Sequence, residues 1–148
     1  MIVELDRNPP GLAGLLEEGG LPASDVNNAE WLVLLAWMDG ETLVGVGGLE
    51  HCGEEVLLRS LVVRSDYRGR GIAARLVAEL EARARKHGFN DVYLLTLDAD
   101  DYFQRRFEYN LMTREEAPEG IRNSSQYSGV CPSSAKLMHK HLSSLPEK

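Results

Sequence analysis

The stretch that decides the fold of this chain is Leu57-Leu58-Arg59-Ser60-Leu61-Val62-Val63-Arg64-Ser65-Asp66-Tyr67-Arg68-Gly69-Arg70-Gly71-Ile72-Ala73. An apolar run, typical of a buried strand, ends in a charged turn, and two glycines then open a long amphipathic helix. Glycine has no Cβ and lets a ligand approach the backbone, while the N–H groups and the dipole at a helix start favour an anion. Arginine side chains beside such a turn bind phosphate oxygens. This order of elements predicts a binding site for a diphosphate.

Charge is distributed unevenly along the chain. The formal net charge is −7, which argues against nucleic acid as the main partner. Residues 1–58 contain one basic residue, Arg7, and eleven acidic residues, whereas residues 59–86 contain eight of the sixteen lysines and arginines. A solvated helix face accounts for Arg83, Arg85 and Lys86, but it accounts less well for the arginines that crowd the glycine turn.

Length and composition are typical of one globular domain spanning residues 1–148. No apolar run approaches the roughly 18 residues of a membrane span, and the first residues lack the basic segment and apolar core of a signal peptide. Two cysteines, Cys52 and Cys131, make no disulfide framework and fit a reducing compartment. We therefore expect a cytoplasmic protein that binds neither a membrane nor nucleic acid.

The clearest predicted element outside the strand is a helix over about 69–86, because apolar residues recur every three to four positions along it. Strands over 55–63 and 92–97 flank this helix, and a strand–helix–strand unit predicts a parallel pair. The other predictions are strands over 1–6, 31–37, 42–49 and 135–142, short helices near 12–16, 100–106 and 115–121, a hairpin turn at Asp39-Gly40 and a polar loop over 124–134.

The segment Arg68-Gly69-Arg70-Gly71-Ile72-Ala73 fits the pattern Arg/Gln-x-x-Gly-x-Gly/Ala, by which the chain resembles the GNAT superfamily of N-acetyltransferases. A closer resemblance, to small bacterial amino-acid-type acetyltransferases, some of them linked to arsenic resistance, rests on the segments 57–63, 93–96, 114–118 and 131–135. The resemblance implies an α/β fold with a mixed, mostly antiparallel central sheet, a splayed parallel strand pair and helices on both faces.

The same glycine turn also satisfies a loose Gly-x-Gly-x-x-Ala dinucleotide fingerprint, and Asp98 follows the next strand, where a ribose-binding acid could lie. Two observations count against a Rossmann fold. Residues 64–68 separate the strand from the fingerprint, and antiparallel-looking strands precede it along the chain. A purely structural glycine turn is the remaining alternative.

The resemblance implies acetyl-CoA as co-substrate, no metal, and direct attack of an amine on the thioester. A bulge around Leu61-Val62 would splay the strand and leave a free N–H near Val62 to stabilise the tetrahedral oxyanion. The implied CoA-binding residues are Leu61, Val62, Val63, Arg68, Gly69, Arg70, Gly71, Ile72 and Ala73.

Three glutamates, Glu50, Glu54 and Glu55, and one tyrosine are candidates for proton transfer, since the amine must lose a proton and the thiolate must gain one. Glu50 ends the strand before a turn, and Glu55 lies thirteen residues before Arg68, a spacing that resembles the catalytic glutamate of histone-type members. The alternative is that all three glutamates are exposed turn carboxylates. Tyr102 is the candidate acid, although it lies one residue from the family's usual tyrosine position and could be a packing aromatic.

The acceptor site is predicted from polar residues in unusual places. Arg59 stands among leucines, so it either clamps a substrate carboxylate or pairs with one of the acids of the N-terminal half. The resemblance places Ser125 and Gln126 at the border of the acceptor site, whereas turn chemistry is the alternative. The histidines have no zinc-ligand spacing.

The interpretation that follows is acetyl-CoA-dependent N-acetylation of a small, amino-acid-like amine. A non-catalytic acyl-CoA-binding sensor stays open as an alternative, because the aromatic-Tyr-x-x-x-Gly-Phe pattern of the family lacks its glycine in the segment 101–109. A peptide acetyltransferase is a third option, and the resemblance is consistent with a homodimer.

Overall fold

The structure, a computed structural model, describes residues 1–5, 11–18, 30–97, 99–124, 127 and 135–142. Its strands are β1 (Ile2–Glu4), β2 (Trp31–Asp39), β3 (Thr42–Cys52), β4 (Glu55–Val63), β5 (Asp91–Thr96), β6 (Asn110–Met112) and β7 (Lys136–His141). Its helices are α1 (Leu12–Glu18), α2 (Ile72–Lys86), α3 (Asp100–Phe107) and α4 (Glu119–Arg122), with 3-10 turns at Ser65–Tyr67 and Arg114–Glu116.

The strands form one seven-stranded sheet in the order β1-β2-β3-β4-β5-β7-β6. Strands β1 to β4 pair antiparallel in sequence order, and the turn between β2 and β3 has Gly40 at φ +63°, so the predicted hairpin is confirmed. Strand β4 pairs with β5 in parallel across α2, as the strand–helix–strand order predicted. The mixed, mostly antiparallel sheet is therefore confirmed.

Helices cover both faces of the sheet because successive side chains of a strand point to opposite faces. Leu35 and Leu58 belong to the large core cluster that contains the buried stripe of α2. Their neighbours Leu34 and Leu57 pack on the other face, the first with α1 and the second with Ile121 of α4. The site described below lies where β4 passes between these layers.

Two predictions about secondary structure need correction, and one strand has no counterpart in the predictions. Helix α2 begins at Ile72 and not at Gly69, because the glycines before it have positive φ. The helix predicted over 115–121 is a 3-10 turn followed by α4, because extended backbone at Ala117 and Pro118 separates them. Strand β6 was not predicted, since three largely exposed residues carry no periodic signal.

One buried carboxylate ties α2 to two other elements. Glu81 accepts a hydrogen bond from the Tyr109 hydroxyl (3.0 Å) and one from Lys140 Nζ (3.0 Å), and only 6% of Glu81 is exposed. Burial, and then the Glu81 charge, raises the pKa of Tyr109, so the phenol stays a donor. The three side chains form one satisfied polar network inside the core.

The variant Glu81→Gln should lower the free energy of unfolding by about 2 kcal/mol, because it removes a largely buried charge-assisted hydrogen bond. The control is Glu79→Gln on the same helix, whose pair with Arg83 (3.0 Å) is 41% exposed on the Glu79 side. An exposed pair contributes roughly 0.5 kcal/mol. Urea unfolding of both variants tests this difference, and equal losses would contradict it.

Candidate functional site

The glycine turn lies between β4 and α2, and its backbone explains both glycines. Gly69 and Gly71 each have φ +79°, a region that residues with a Cβ rarely adopt. A Cβ on either would meet nothing within 4 Å, so the backbone conformation requires glycine and the space beside the turn is open. Helix α2 begins there without a side-chain cap, which leaves its first N–H groups to attract an anion.

The arginines around the turn are held by an aromatic ring. The guanidinium of Arg70 lies 4.8 Å from the centre of the Tyr67 ring, and that of Arg64 lies 5.9 Å from it. The Tyr67 hydroxyl donates to Asp39 (2.6 Å), a hydrogen bond that raises the pKa of this phenol. Sequence reasoning missed Tyr67, because no pattern connects it to an aspartate 28 residues earlier.

The parallel pair of β4 and β5 separates beyond a short contact. Its register pairs are Leu57 with Tyr93 and Leu58 with Leu94. Beyond these two pairs, β4 continues to Val63 and β5 to Thr96, but among the described residues the two strands form no further register pair with each other. The two strands therefore bound a cleft that opens towards the glycine turn, as the resemblance implied.

A bulge in β4 lies at the point where the strands separate. The register of β4 against β3 slips by one residue after Arg59, so Ser60 and Leu61 together oppose Gly47. Ser60 has φ +62°, and a Cβ on Gly47 would come within 3.0 Å of the Leu61 side chain. The bulge expected around Leu61-Val62 is thus present, and its strained residue is Ser60.

The backbone of β4 presents alternate groups to the cleft. The Arg64 N–H donates to β3 (2.8 Å), so the alternation of an antiparallel ladder directs the N–H of Val62 to β3 and turns Val63 towards the cleft. In agreement, the Val63 carbonyl accepts from Arg68 Nε (3.0 Å) rather than from β3. Leu61 has no register partner in either neighbouring strand. A free N–H near Val62 as oxyanion donor stays a prediction, and Leu61 is the adjacent residue that lies outside both registers.

A buried ion pair adjoins the bulge. Arg59 Nη1 donates to Glu50 Oε1 (3.1 Å), Arg59 Nε donates to Ser60 Oγ (3.1 Å), and the exposed fractions of Arg59 and Glu50 are 3% and 8%. The Arg59 guanidinium also lies 5.2 Å from the centre of the Trp31 ring. Gly48 makes room for that ring, since a Cβ there would come within 2.4 Å of it. The alternative of an ion pair for Arg59 is therefore realised, and its partner is a predicted base.

Glu55 lies away from this cluster. It opens β4 and pairs in register with Cys52, five residues before Ser60, which corresponds to about 16 Å along a strand. Burial raises the pKa of Glu55, and the nearby charges of Asp91 and Glu54 raise it further. The structure therefore connects Glu50, and not Glu55, to the bulge residue Ser60 through the Arg59 side chain.

Tyr102 lies on α3, which follows the cleft end of β5. The Ala99 N–H donates to Thr96 Oγ1 (3.0 Å) and so fixes the connection between β5 and this helix. The Tyr102 ring meets Phe103 and Phe107 edge to face, and 37% of the residue is exposed. Tyr102 is thus on the correct end of the sheet, with a ring that also serves packing.

The other predicted features of the site lie outside the described residues or are chemically unsuited to catalysis. Ser125 and Gln126 lie outside the described residues, as does most of the loop predicted over 124–134. Burial, and then the Glu50 charge, raises the pKa of the Cys52 thiol to about 12, which makes it a poor nucleophile. Within the described ranges, no three His, Cys, Asp or Glu side chains are arranged to hold a metal, and no helix is long and apolar enough to cross a membrane.

Comparison with known proteins gives one family. The model of the acetyltransferase (GNAT) family matches residues 7–109. An uncharacterised N-acetyltransferase of Chlorobaculum tepidum is 36% identical over 64 residues, which cover 43% of this chain and 40% of that protein.

Solved structures agree with this match. N-acetylglutamate synthase from Neisseria gonorrhoeae, complexed with coenzyme A and N-acetyl-glutamate, superposes with a TM-score of 0.76 at 19% identity, over 97% of this chain and 36% of its own. Aminoglycoside 6'-acetyltransferase type Ii superposes with a TM-score of 0.65 at 26% identity, over 99% of each chain. This chain thus spans only about a third of the synthase, but the full length of the second enzyme.

Proposed function

Since this chain belongs to the GNAT acetyltransferase family, we propose that it transfers the acetyl group of acetyl-CoA to the amine of a small, amino-acid-like molecule. The observation that carries the proposal is the splayed β4–β5 pair that opens onto the glycine turn. The proposal places the diphosphate of CoA on Gly69 and Gly71, with Arg68, Arg70, Ile72 and Ala73 around it. It places the pantetheine arm along Leu61, Val62 and Val63.

The proposed chemistry is direct transfer. The amine nitrogen attacks the thioester carbon, a C–N bond forms, and the carbonyl electrons move to the oxygen, which the Leu61 N–H stabilises. Collapse of this intermediate breaks the C–S bond and releases the CoA thiolate, for which Tyr102 is the proposed proton donor. Before the attack, the acceptor ammonium gives one proton to a carboxylate, which leaves a neutral amine with a lone pair. The nitrogen loses a second proton as the intermediate collapses to the amide. Glu50 is the proposed base because its carboxylate pairs with Arg59, which adjoins the bulge, and Glu55 is the alternative.

The proposed acceptor carries a carboxylate beside its amine. Arg59 supports this although it already pairs with Glu50, because a planar fork with five N–H donors can bind a second carboxylate one residue from the bulge. The superposed synthase is named for an acylated amino acid, and the second enzyme for an amine-rich acceptor, which supports a small-molecule acceptor more than a peptide. The proposal adds Ser125 and Gln126 as hydrogen-bonding groups for the acceptor.

The test is thiol release from acetyl-CoA by the purified protein with a panel of amines: amino acids, their decarboxylated amines, aminoglycosides and lysine peptides. We expect an amino acid to be acetylated at least about tenfold more efficiently than its decarboxylated counterpart, since charge-assisted pairs contribute this much. Binding of CoA without any thiol release would instead favour the sensor. Preference for peptides would refute the acceptor class.

The variant Arg59→Lys should abolish most of that preference while still pairing with Glu50, because lysine lacks the planar two-pronged fork. The measurement is the ratio of kcat/KM for an amino acid to that for its decarboxylated amine, which should fall about tenfold. An unchanged ratio would show that Arg59 does not read the acceptor carboxylate.

A further inference from the structure

We propose that Glu50, Arg59 and Ser60 form a positioning chain that holds the β4 bulge and aims the Leu61 N–H at the acetyl carbonyl. The inference rests on the proposed function and deepens it. None of the three residues needs to touch the thioester, because each acts on the next along a continuous set of hydrogen bonds.

The first observation is the conformation of Ser60. Its φ of +62° is unusual for a residue with a Cβ, and such conformations persist only where the surroundings determine them. Left-handed bulge positions usually carry glycine. Serine adds a hydroxyl, and that hydroxyl accepts a hydrogen bond from Arg59 Nε (3.1 Å). The Ser60 side chain makes the left-handed conformation unfavourable, and the same side chain is fixed by the hydrogen bond from Arg59.

The second observation is that Arg59 is itself fixed. Its Nη1 donates to Glu50 on the neighbouring strand (3.1 Å), and its guanidinium lies against Trp31. A buried charge is costly unless it is paired, so the two side chains hold each other in place. The rigid fork of arginine can bond to Glu50 and to Ser60 at the same time. Arg59 thus connects Glu50 on β3 to Ser60 in the bulge, so the position of β3 constrains the bulge.

The third observation connects the bulge to the chemistry. The Leu61 N–H lies in the peptide plane that follows Ser60, so the ψ of Ser60 helps to set its direction. Leu61 itself has no register partner in β3 or β5. An oxyanion donor works only within about 2.7–3.1 Å of the developing charge. Small rotations at Ser60 would therefore weaken stabilisation of the transition state.

The experiment uses the full chain without an acceptor, so that any role of Arg59 or Glu50 towards the amine cannot contribute. Acetyl-CoA labelled with ¹³C at the carbonyl is bound, and its resonance reports the hydrogen bond to the carbonyl oxygen. In Ser60→Ala we expect the bound resonance to move back towards its free position. With an acceptor, kcat should fall roughly 10–100-fold while KM for acetyl-CoA stays within about threefold.

Adding Arg59→Lys to Ser60→Ala should cause no further change in the resonance, because both substitutions break the same chain. The control is Ser65→Ala, in the exposed 3-10 turn after β4, which should leave the resonance and kcat unchanged. Ser60→Gly adopts the same φ without strain and folds even if the alanine variant does not. The proposal predicts the loss in this variant as well.

Wild-type behaviour of Ser60→Gly would overturn the proposal, since glycine alone would then maintain the bulge. An unchanged resonance in Ser60→Ala, with only the acceptor KM raised, would also overturn it. If no amine is acetylated at all, the resonance still responds to Ser60. Failure of the proposed function is therefore distinguishable from failure of the chain.

Discussion

Replacing Gly71 by valine should abolish measurable binding of coenzyme A, with an affinity loss of at least about 100-fold. Gly71 is the N-cap of α2 and has φ +79°, which a β-branched residue cannot adopt without strain. Relief of that strain would rotate the first N–H groups of α2 away from the proposed diphosphate site. Titration calorimetry with CoA measures the effect directly.

Gly88→Val is the matched control for this variant. Gly88 also has a positive φ (+88°) and open space beside its Cα, but it lies beyond the opposite end of α2. The Gly88→Val variant should lose about as much stability as Gly71→Val and should retain its affinity for CoA. Equal affinities in the two variants would place the CoA site elsewhere.

Glu50→Gln should lower kcat/KM for the acceptor by roughly 10²–10⁴ and remove the acidic limb of its pH profile. A general base must be unprotonated to accept a proton, so its replacement removes one rise of the rate with pH. An α-amino group has a pKa of about 8 and contributes its own rise, which should remain in the variant. Glutamine keeps an oxygen for Arg59, so the bulge should stay in place.

Glu55→Gln separates position from charge. Glu55 lies about 16 Å along β4 from the bulge. Because its pKa is raised, the Glu55 carboxyl loses its proton at a higher pH than an ordinary glutamate does. We nevertheless expect Glu55→Gln to keep the acidic limb of the pH profile and the rate of the wild type. If Glu55→Gln removes the limb and Glu50→Gln does not, the assignment of the base is reversed. If both keep it, ordered water or the backbone accepts the proton.

The elements around the glycine turn were predictable because their signals are local. Helix α2 follows from its apolar repeat, and its parallel flanking strands follow from the order of elements. The bulge was predicted within one residue. Its left-handed residue, Ser60, was not predicted, because a serine in the sequence, unlike a glycine, does not indicate a left-handed backbone.

What could not be predicted depends on contacts between distant segments. Nothing in the spacing of Tyr67 and Asp39 indicates their hydrogen bond, and nothing around Arg59 selects Glu50 from eleven acids in the first 58 residues. The spacing of Glu55 from Arg68 suggested a catalytic glutamate, yet strand geometry places it at the far end of β4. Strand pairing decided the positions of Glu50 and Glu55, and the packing of a turn against β2 decided that of Tyr67.

The short contact between β4 and β5 has a consequence for the stability of the molecule. Most sheets are best protected from hydrogen exchange at their centre and fray at their edges. Here the central pair is joined only through Leu57–Tyr93 and Leu58–Leu94, so its outer amides are the exception. A pantetheine arm in this cleft would act as an additional strand and close the seam. The melting temperature would then rise with the concentration of the ligand, because a ligand that binds only the folded state stabilises it by mass action.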